Sequence, residues 1–219
     1  MFNLPTSIPL VHLLLSFVRG QNEETGVVEG LDPQHPMEFL DRSEHRSLLE
    51  EYYGLPNRDV LVERLLHFFF DSCTYLCYVI EPAAWFAEWH RECADMAKTN
   101  VVTLATAYMM LAIAMNYLPD GDSLIAFLPQ GVTSMELGRR WYIASINCIS
   151  RYRSSGAPPS IEYIELLLLH AQFLSISETN SADLWSVKSD IGAVATALAL
   201  HRDPGQWNLA LSQVERRRW

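Results

Sequence analysis

Residues 181–200 read SADLWSVKSDIGAVATALAL, and this stretch decides the class of the fold. Its larger apolar side chains recur at spacings of three and four residues, as one face of an α-helix requires. They are Leu184, Val187, Ile191, Val194 and Leu198. The second half is otherwise made of small residues, and a glycine inside a helix costs about 1 kcal/mol relative to alanine. Gly192 therefore predicts that another helix packs against the backbone here.

Upstream of this stretch, the same helical spacing recurs in residues 43–53, 57–76, 82–96, 101–117, 133–152 and 160–174. Helix-start signals stand at the head of most of these segments. The signals are Ser43, Asn57, Pro82, Thr133-x-x-Glu136 and Ser160. In the segment 57–76 the predicted buried stripe is Leu61, Leu65, Phe68, Ser72 and Leu76. Residues 160–174 are apolar on most sides, which predicts a helix central to the core.

The alternation typical of strands and the dipeptides typical of hairpins do not appear in the sequence. We therefore predict an all-α fold, an irregular bundle of stacked antiparallel helices. Residues 1–42 are predicted to be an N-terminal arm and linker, partly disordered, and residues 43–219 to be one helical domain. Ser212-x-x-Glu215 is a capping box with few apolar residues after it. We therefore expect the domain to be truncated at its C-terminus.

The formal net charge of −10, from 26 acidic and 16 basic residues, makes this chain a poor candidate for nucleic-acid binding, because an acidic surface repels phosphate. The basic run Arg216-Arg217-Arg218, next to Trp219, is better interpreted as pairing with carboxylates between helices. The apolar run at residues 8–18 is shorter than the roughly 20 residues that span a bilayer. We therefore expect no membrane partner.

Cysteines and histidines raise the question of a metal site. Cys73 and Cys77 lie one helical turn apart, and His90 precedes Cys93 by three residues. These residues, with His67, are the candidate ligands for a tetrahedral zinc ion. No C-x-x-C pair is present, and isolated cysteines usually pack as small hydrophobic residues. We assign no metal and no cofactor to the chain.

Catalytic signatures are equally weak. His201-Arg202-Asp203 with Asn208 matches the catalytic loop of protein kinases, but no glycine-rich loop, strand lysine or D-F-G accompanies it. No G-x-S-x-G is present, and His170, among leucines, is interpreted as a core histidine. The acidic pairs Glu23-Glu24 and Glu50-Glu51 are interpreted as solvated charge. The sequence predicts a non-catalytic protein with no catalytic residue.

The last third of the chain resembles the signature of the fungal-specific transcription factor domain, the middle homology region of Gal4-type zinc-cluster regulators. In that family a small-residue helix ends in a Gly-Leu-His-Arg-Asp-like turn, and a Glu-x-x-Arg-Arg-Trp-like helix follows. The usual glycine of the turn is Ala199 in this chain. The matching residues are Trp185, Gly192-Ala193-Val194, Ala199-Leu200-His201-Arg202-Asp203, Trp207-Asn208-Leu209 and Glu215-Arg216-Arg217-Arg218-Trp219.

This resemblance implies a regulatory and interaction domain that controls RNA polymerase II transcription in a fungal nucleus, through protein partners or self-association. The family contacts DNA through a six-cysteine zinc cluster, whereas this sequence has four scattered cysteines. DNA binding and zinc are therefore assigned to no residue here. The alternatives are a head-less regulator that acts only through protein contacts, and a small-molecule-binding helical domain. The second would place an effector against Trp85, Tyr108 or Trp141.

Overall fold

The computed structural model describes residues 58–74, 80–93, 99–177 and 181–202. These residues form helices and connecting turns without a β-strand, which confirms the predicted all-α bundle. The elements are α1 (Arg58–Ser72), α2 (Pro82–Cys93), α3 (Val101–Tyr117), a short 3₁₀ helix (Ser123–Phe127), α4 (Ser134–Ser154), α5 (Ile161–Ile176) and α6 (Ser181–Ala197). The predicted arm at 1–42, the helix at 43–53, the cap at Asn57 and the capping box at 212–215 lie outside the described residues.

Helix α3 forms the centre of the bundle. Every residue from Val102 to Met115 is buried, because α1, α4 and α5 each pack against a different side of α3. The Asn100 side chain begins the helix by accepting a hydrogen bond from the Val102 amide at 2.9 Å. The predicted α5 core helix is also buried on most sides, from Tyr163 to Leu174.

Helix α4 packs against α3 more extensively than any other pair of described helices do. A β-carbon built at Gly138 would lie 2.9 Å from the β-carbon of Met115, so the two backbones approach too closely for any larger residue. Further along, the Ser145 hydroxyl donates to the Ala105 carbonyl at 2.8 Å, and Trp141 is completely buried. We call this contact the α3–α4 seam.

The prediction that a helix packs against Gly192 is wrong for the described residues. A β-carbon built at Gly192 would have no atom of the described residues within 4 Å, apart from its chain neighbours and the local helix backbone. The close helix approach occurs at Gly138 in α4 instead. A glycine in a helix is consistent with close packing but does not show which side of the helix has a neighbour.

The predicted stripe of α1 is also partly wrong. Phe68 is half-buried and Ser72 is exposed, although Leu61 and Leu65 are buried as expected. The buried set rotates toward the side that faces α3 and includes Val62, Leu66, Phe69 and Cys73. Helix α1 ends at Ser72, earlier than predicted, and the Gln172 side chain of α5 donates to the Cys73 carbonyl just after it at 2.9 Å.

Most of the predicted helix starts that lie in the described residues are confirmed. Helix α2 begins at Pro82, and the Ser160 hydroxyl accepts from the Tyr163 amide at 3.1 Å. The Thr133 hydroxyl accepts from the Glu136 amide at 3.1 Å, while the Glu136 carboxylate pairs with Arg140 one turn further on. These signals were readable because a cap involves residues only two or three positions apart.

Helix α6 lies against α5 and ends three residues before the predicted end at Leu200. Ala199 has a φ of +53°, in the left-handed region. The Leu200 amide bonds to the Ala195 carbonyl, and the Ala199 amide bonds to the Thr196 carbonyl, both at 2.9 Å. This is a Schellman motif with Ala199 at the position that glycine usually occupies.

None of the described helices combines the length and the apolar character needed to cross a bilayer.

Candidate functional site

A cavity of about 300 Å³ opens where the first turns of α2, α3 and α5 meet. This volume is at the lower end of the range found for small-molecule sites. Trp85 of α2 and Thr103 of α3 line it, together with the smaller apolar side chains of Ile80, Ala84 and Val102. The cavity therefore combines an apolar wall with polar groups at its edge.

Trp85 is the aromatic wall of this cavity. Its side chain is 8% exposed, and its ring stacks on that of Trp89 with 6.0 Å between ring centroids. The two indoles lie on one face of α2 because they are four residues apart. The Trp85 Nε1 is buried and has no hydrogen-bond partner among the described residues. Buried indole N–H groups usually have one.

Four carboxylates line the cavity, and none of the residues lining it is basic. Glu81 and Glu88 come from the α2 side, and Glu162 and Glu165 come from α5. Glu81 caps α2, since its carboxylate accepts from the amides of Ala83 at 3.1 Å and Ala84 at 2.5 Å. The positive end of the α2 helix dipole therefore offsets part of the charge of Glu81.

The helix starts around the cavity have much of their hydrogen-bonding capacity already used. Asn100 caps α3 and Ser160 caps α5. The Asn100 amide in turn donates to the Glu92 carboxylate at 2.7 Å. Burial raises the pKa of Glu92, and that hydrogen bond opposes the rise. Each of these two caps occupies one first-turn amide, that of Val102 in α3 and that of Tyr163 in α5.

The three aromatic residues predicted for an effector site differ in position. Trp85 lines the cavity, whereas Tyr108 and Trp141 are at most 1% exposed within the core around α3. The Trp141 Nε1 is also without a partner in the part of the chain that the structure describes. The structure thus brings one of the three candidates to a cavity.

His170 lies in the core of α5, as predicted, and is 9% exposed. Its Nε2 lies 3.1 Å from the Tyr142 hydroxyl, and its Nδ1 has no described partner. Burial, followed by the nearby Arg153 guanidinium, lowers the pKa of His170 to about 4. The imidazole is therefore neutral near pH 7.

The candidate metal ligands do not form a cluster in the described residues. Cys73 and Cys148 are buried, and burial raises the pKa of each thiol to about 12, so neither is a thiolate. His67 and His90 approach the same oxygen of Glu63, at 3.5 and 3.0 Å. No group of three or more His, Cys, Asp or Glu side chains in the described ranges has a geometry that could hold a metal ion. Cys77 lies outside those ranges, and of Cys93 only the backbone, at the end of α2, is described.

The kinase-like motif is described only in part. His201 and Arg202 occupy the turn after α6, where the Arg202 amide bonds to the Ala199 carbonyl at 3.1 Å. Asp203 and Asn208 lie outside the described residues, as do the run Arg216-Arg217-Arg218 and the acidic pairs at 23–24 and 50–51.

Sequence reasoning missed the acidic character of the cavity. A signal for half of it was present, because Glu81, Ala84, Trp85 and Glu88 follow the spacing of one helical face. The other half, Glu162 and Glu165, comes from a helix 80 positions away in the chain. No local pattern shows that these two faces meet.

Comparisons of the chain with models of protein families, with curated proteins and with solved structures find no match.

Proposed function

We propose that the chain is a non-catalytic regulatory and interaction domain of a fungal transcription factor of the zinc-cluster class, acting in the nucleus on RNA polymerase II transcription. The residue pattern from Trp185 to Trp219 supports this proposal. Contact with DNA would come from a zinc cluster that these residues do not contain. Protein partners, or a second copy of the chain, would be contacted directly.

The observation that carries the proposal is the end of α6. The family signature has a glycine immediately before Leu-His-Arg, and Ala199 occupies that position. Ala199 has a φ of +53°, a conformation that strongly favours glycine. The geometry thus gives a physical reason for a glycine in the signature, and it supports the view that the match reflects a shared helix end.

Trp185 supports a role in protein contacts. It belongs to the signature, its side chain is 63% exposed, and Lys188 lies 4.9 Å from its ring centroid. Exposed tryptophans are enriched among the residues that contribute most to protein interfaces. We place the partner surface on this side of α6.

The test is to fuse the 219-residue chain to an unrelated DNA-binding domain and measure a reporter gene in a fungal host. We expect the fusion to raise or lower expression, and Trp185→Ala to abolish most of the change. Met135→Ala is the matched control, because Met135 is a large apolar residue that is 78% exposed on a different helix, α4. Expression equal to that of the DNA-binding domain alone would refute the proposal.

The absence of catalysis is part of the same proposal. A neutral His170 and two protonated thiols support it, because nucleophilic and general-base chemistry needs groups poised near neutral pH. Purified protein is expected to hydrolyse no nucleotide and to contain no stoichiometric metal by elemental analysis. Nucleotide hydrolysis or a bound ion would contradict this.

The cavity beside Trp85 favours a second candidate, a small-molecule-binding helical domain. A thermal-shift screen with metabolites tests it. A compound that raises the melting temperature of the protein, but not that of Trp85→Phe, would support it. Trp185→Phe is the control, because that indole lies outside the cavity. A head-less regulator acting through protein contacts alone would respond to no metabolite.

A further inference from the structure

We propose that α6 is a latch, a helix that opens and closes on the bundle as one unit while α3, α4 and α5 stay folded. Opening exposes Val187 and Ile191 of α6, together with the surface of α5 that they cover. The inference goes beyond the proposed function, because it concerns the bundle itself and is tested without any partner. Shallow burial, a single extensive packing partner and an ion pair to α4 carry it.

The burial of α6 is shallow. Helices α3 and α6 both have 17 residues. In α3 every residue from Val102 to Met115 is buried, whereas in α6 only Val187, Ile191 and Ala195 are. A segment that buries little apolar surface loses little when it opens locally. Opening of α6 therefore costs much less than opening of the central helix.

The packing of α6 allows it to leave alone. Helix α3 lies between α1, α4 and α5, so it cannot move out without separating several pairs of helices. Among the described helices, α5 is the one against which α6 packs extensively. Isolated helices of this length are marginal in water, and Gly192 in the middle of α6 weakens it further. Once detached, α6 therefore unfolds, and its amides exchange together.

An ion pair fastens the latch to α4. The Arg153 guanidinium of α4 donates from Nη2 to the Asp190 carboxylate of α6 at 2.6 Å, and from Nε to the Tyr163 hydroxyl of α5 at 2.8 Å. The bond to Tyr163 does not involve α6, so it keeps Arg153 in place for Asp190 to return. The side chains of Arg153 and Asp190 are 48% and 36% exposed, and ion pairs this exposed stabilise only modestly. The fastening is therefore readily reversible.

Native-state hydrogen exchange of the full chain, followed by ¹⁵N NMR, tests the latch. We expect the amides of Ile191 and Ala195 in α6 to share one opening constant. That constant should be at least about 100-fold larger than the one for Met109 and Ile113 in α3. Equal opening constants in the two helices would overturn the proposal, because α6 would then open only when the whole bundle unfolds.

Two ion-pair variants test the fastening. Asp190→Asn should raise the opening constant of α6 about two- to fivefold and leave that of α3 unchanged. The matched control is Glu136→Gln, because Glu136 pairs with Arg140 at 2.7 Å and both side chains are similarly exposed, at 49% and 47%. That pair lies within α4 and joins no two helices, so the control should not change exchange in α6. A rise in α6 with the control variant would overturn the role of Asp190.

Gly192→Ala should act in the opposite direction. It strengthens the helix without meeting another described side chain, so the opening constant of α6 should fall by up to about fivefold. Exchange in α3 should stay the same. Circular dichroism establishes that each variant is folded. Changes that spread equally to α3 in either the Asp190 or the Gly192 variant would overturn the latch, and the reporter fusion tests the transcriptional proposal independently.

Discussion

The α3–α4 seam and the outer side of α6 are both rich in small residues, yet only the seam is packed against another described helix. At the seam, Gly138 would place a β-carbon 2.9 Å from Met115. On α6, a β-carbon at Gly192 would meet no described atom beyond the local backbone within 4 Å. The tryptophans differ in the same way, since Trp141 is completely buried and Trp185 is 63% exposed.

This difference shows that small residues permit close packing but do not require it. At the seam the small side chains let two backbones approach, and a buried hydrogen bond from Ser145 to Ala105 adds to the contact. On α6 the same residue types leave an accessible surface beside an exposed indole. We therefore expect the seam to determine stability and the outer side of α6 to determine partner binding.

The largest expected difference in stability is between alanine variants of the two tryptophans. Trp141→Ala should lower the free energy of unfolding by about 3–5 kcal/mol, because it removes a completely buried aromatic side chain and leaves a cavity. Trp185→Ala should change it by no more than about 0.5 kcal/mol. Urea unfolding followed by circular dichroism measures both. Similar losses for the two variants would show that α6 is covered on its outer side.

Acid should weaken the interior around His170. Burial lowers the pKa of folded His170 to about 4 from an ordinary 6.5, so between these values the unfolded chain binds a proton that the folded chain excludes. The contribution of His170 to stability is thus present above about pH 6.5 and is lost as the pH falls toward 4. The full loss is roughly 3 kcal/mol, from about 1.36 kcal/mol per pKa unit.

His170→Gln should reduce the dependence of stability on pH. The measurement is the melting temperature at a series of pH values between about 7 and 4.5, in steps of about half a pH unit. The matched control is His67→Gln, because the His67 side chain is 58% exposed. That variant should keep the slope of the original protein. A slope unchanged in His170→Gln would show that another group governs the acid response.

The two glycines should respond to alanine with opposite signs. Gly192→Ala is expected to stabilise the protein by up to about 1 kcal/mol through helix propensity alone. Gly138→Ala gains the same amount but must separate α3 from α4, which costs roughly 1–3 kcal/mol, so a net loss of about 1 kcal/mol is expected. Denaturant midpoints of the two variants and the original protein, measured under the same conditions, give the sign of each change in stability. Stabilisation by both changes would contradict the close approach at the seam.

The smallest expected effect lies at the end of α6. Ala199→Gly should stabilise the fold by about 0.5 kcal/mol, because relief of the left-handed conformation slightly exceeds the entropy that glycine adds to the unfolded chain. Ala199→Val should be destabilising, since a β-branched residue tolerates positive φ poorly. Thermal unfolding of the three proteins gives the order. A loss of stability in Ala199→Gly would contradict the Schellman end.

Features that depend on neighbours in the chain were predictable. The caps at Thr133 and Ser160 and the start at Pro82 each involve positions two or three apart, and all three are found. The helical spacing of residues 133–152 predicts one apolar face, formed by Leu137, Trp141, Ala144, Cys148 and Tyr152, and all of these are buried except Tyr152, which is half-buried. The end of α6 was predicted three residues too late. The left-handed residue at this end is Ala199, and alanine, unlike glycine, is not a sequence signal for a left-handed conformation.

Features that depend on distant partners were not predictable. The phase of the α1 stripe was partly wrong because α1 turns Val62, Leu66 and Phe69 toward α3, a choice that its own spacing leaves open. The cavity joins carboxylates of α2 and α5 that no motif connects. The signature residues from Asp203 to Trp219 lie outside the described residues and remain a prediction from the family resemblance.

The sequence by itself determined that the chain forms helices, where most of them begin and which residues resemble the transcription factor signature. These properties follow from hydrogen bonds and side-chain spacings within a few residues. Only the tertiary structure decided that Gly138 rather than Gly192 meets another described helix, and that Trp85 lines a cavity together with four glutamates while Trp141 does not. The physical reason is that packing depends on two surfaces at once, and the sequence of a helix specifies its own surface but not the surface that will lie against it.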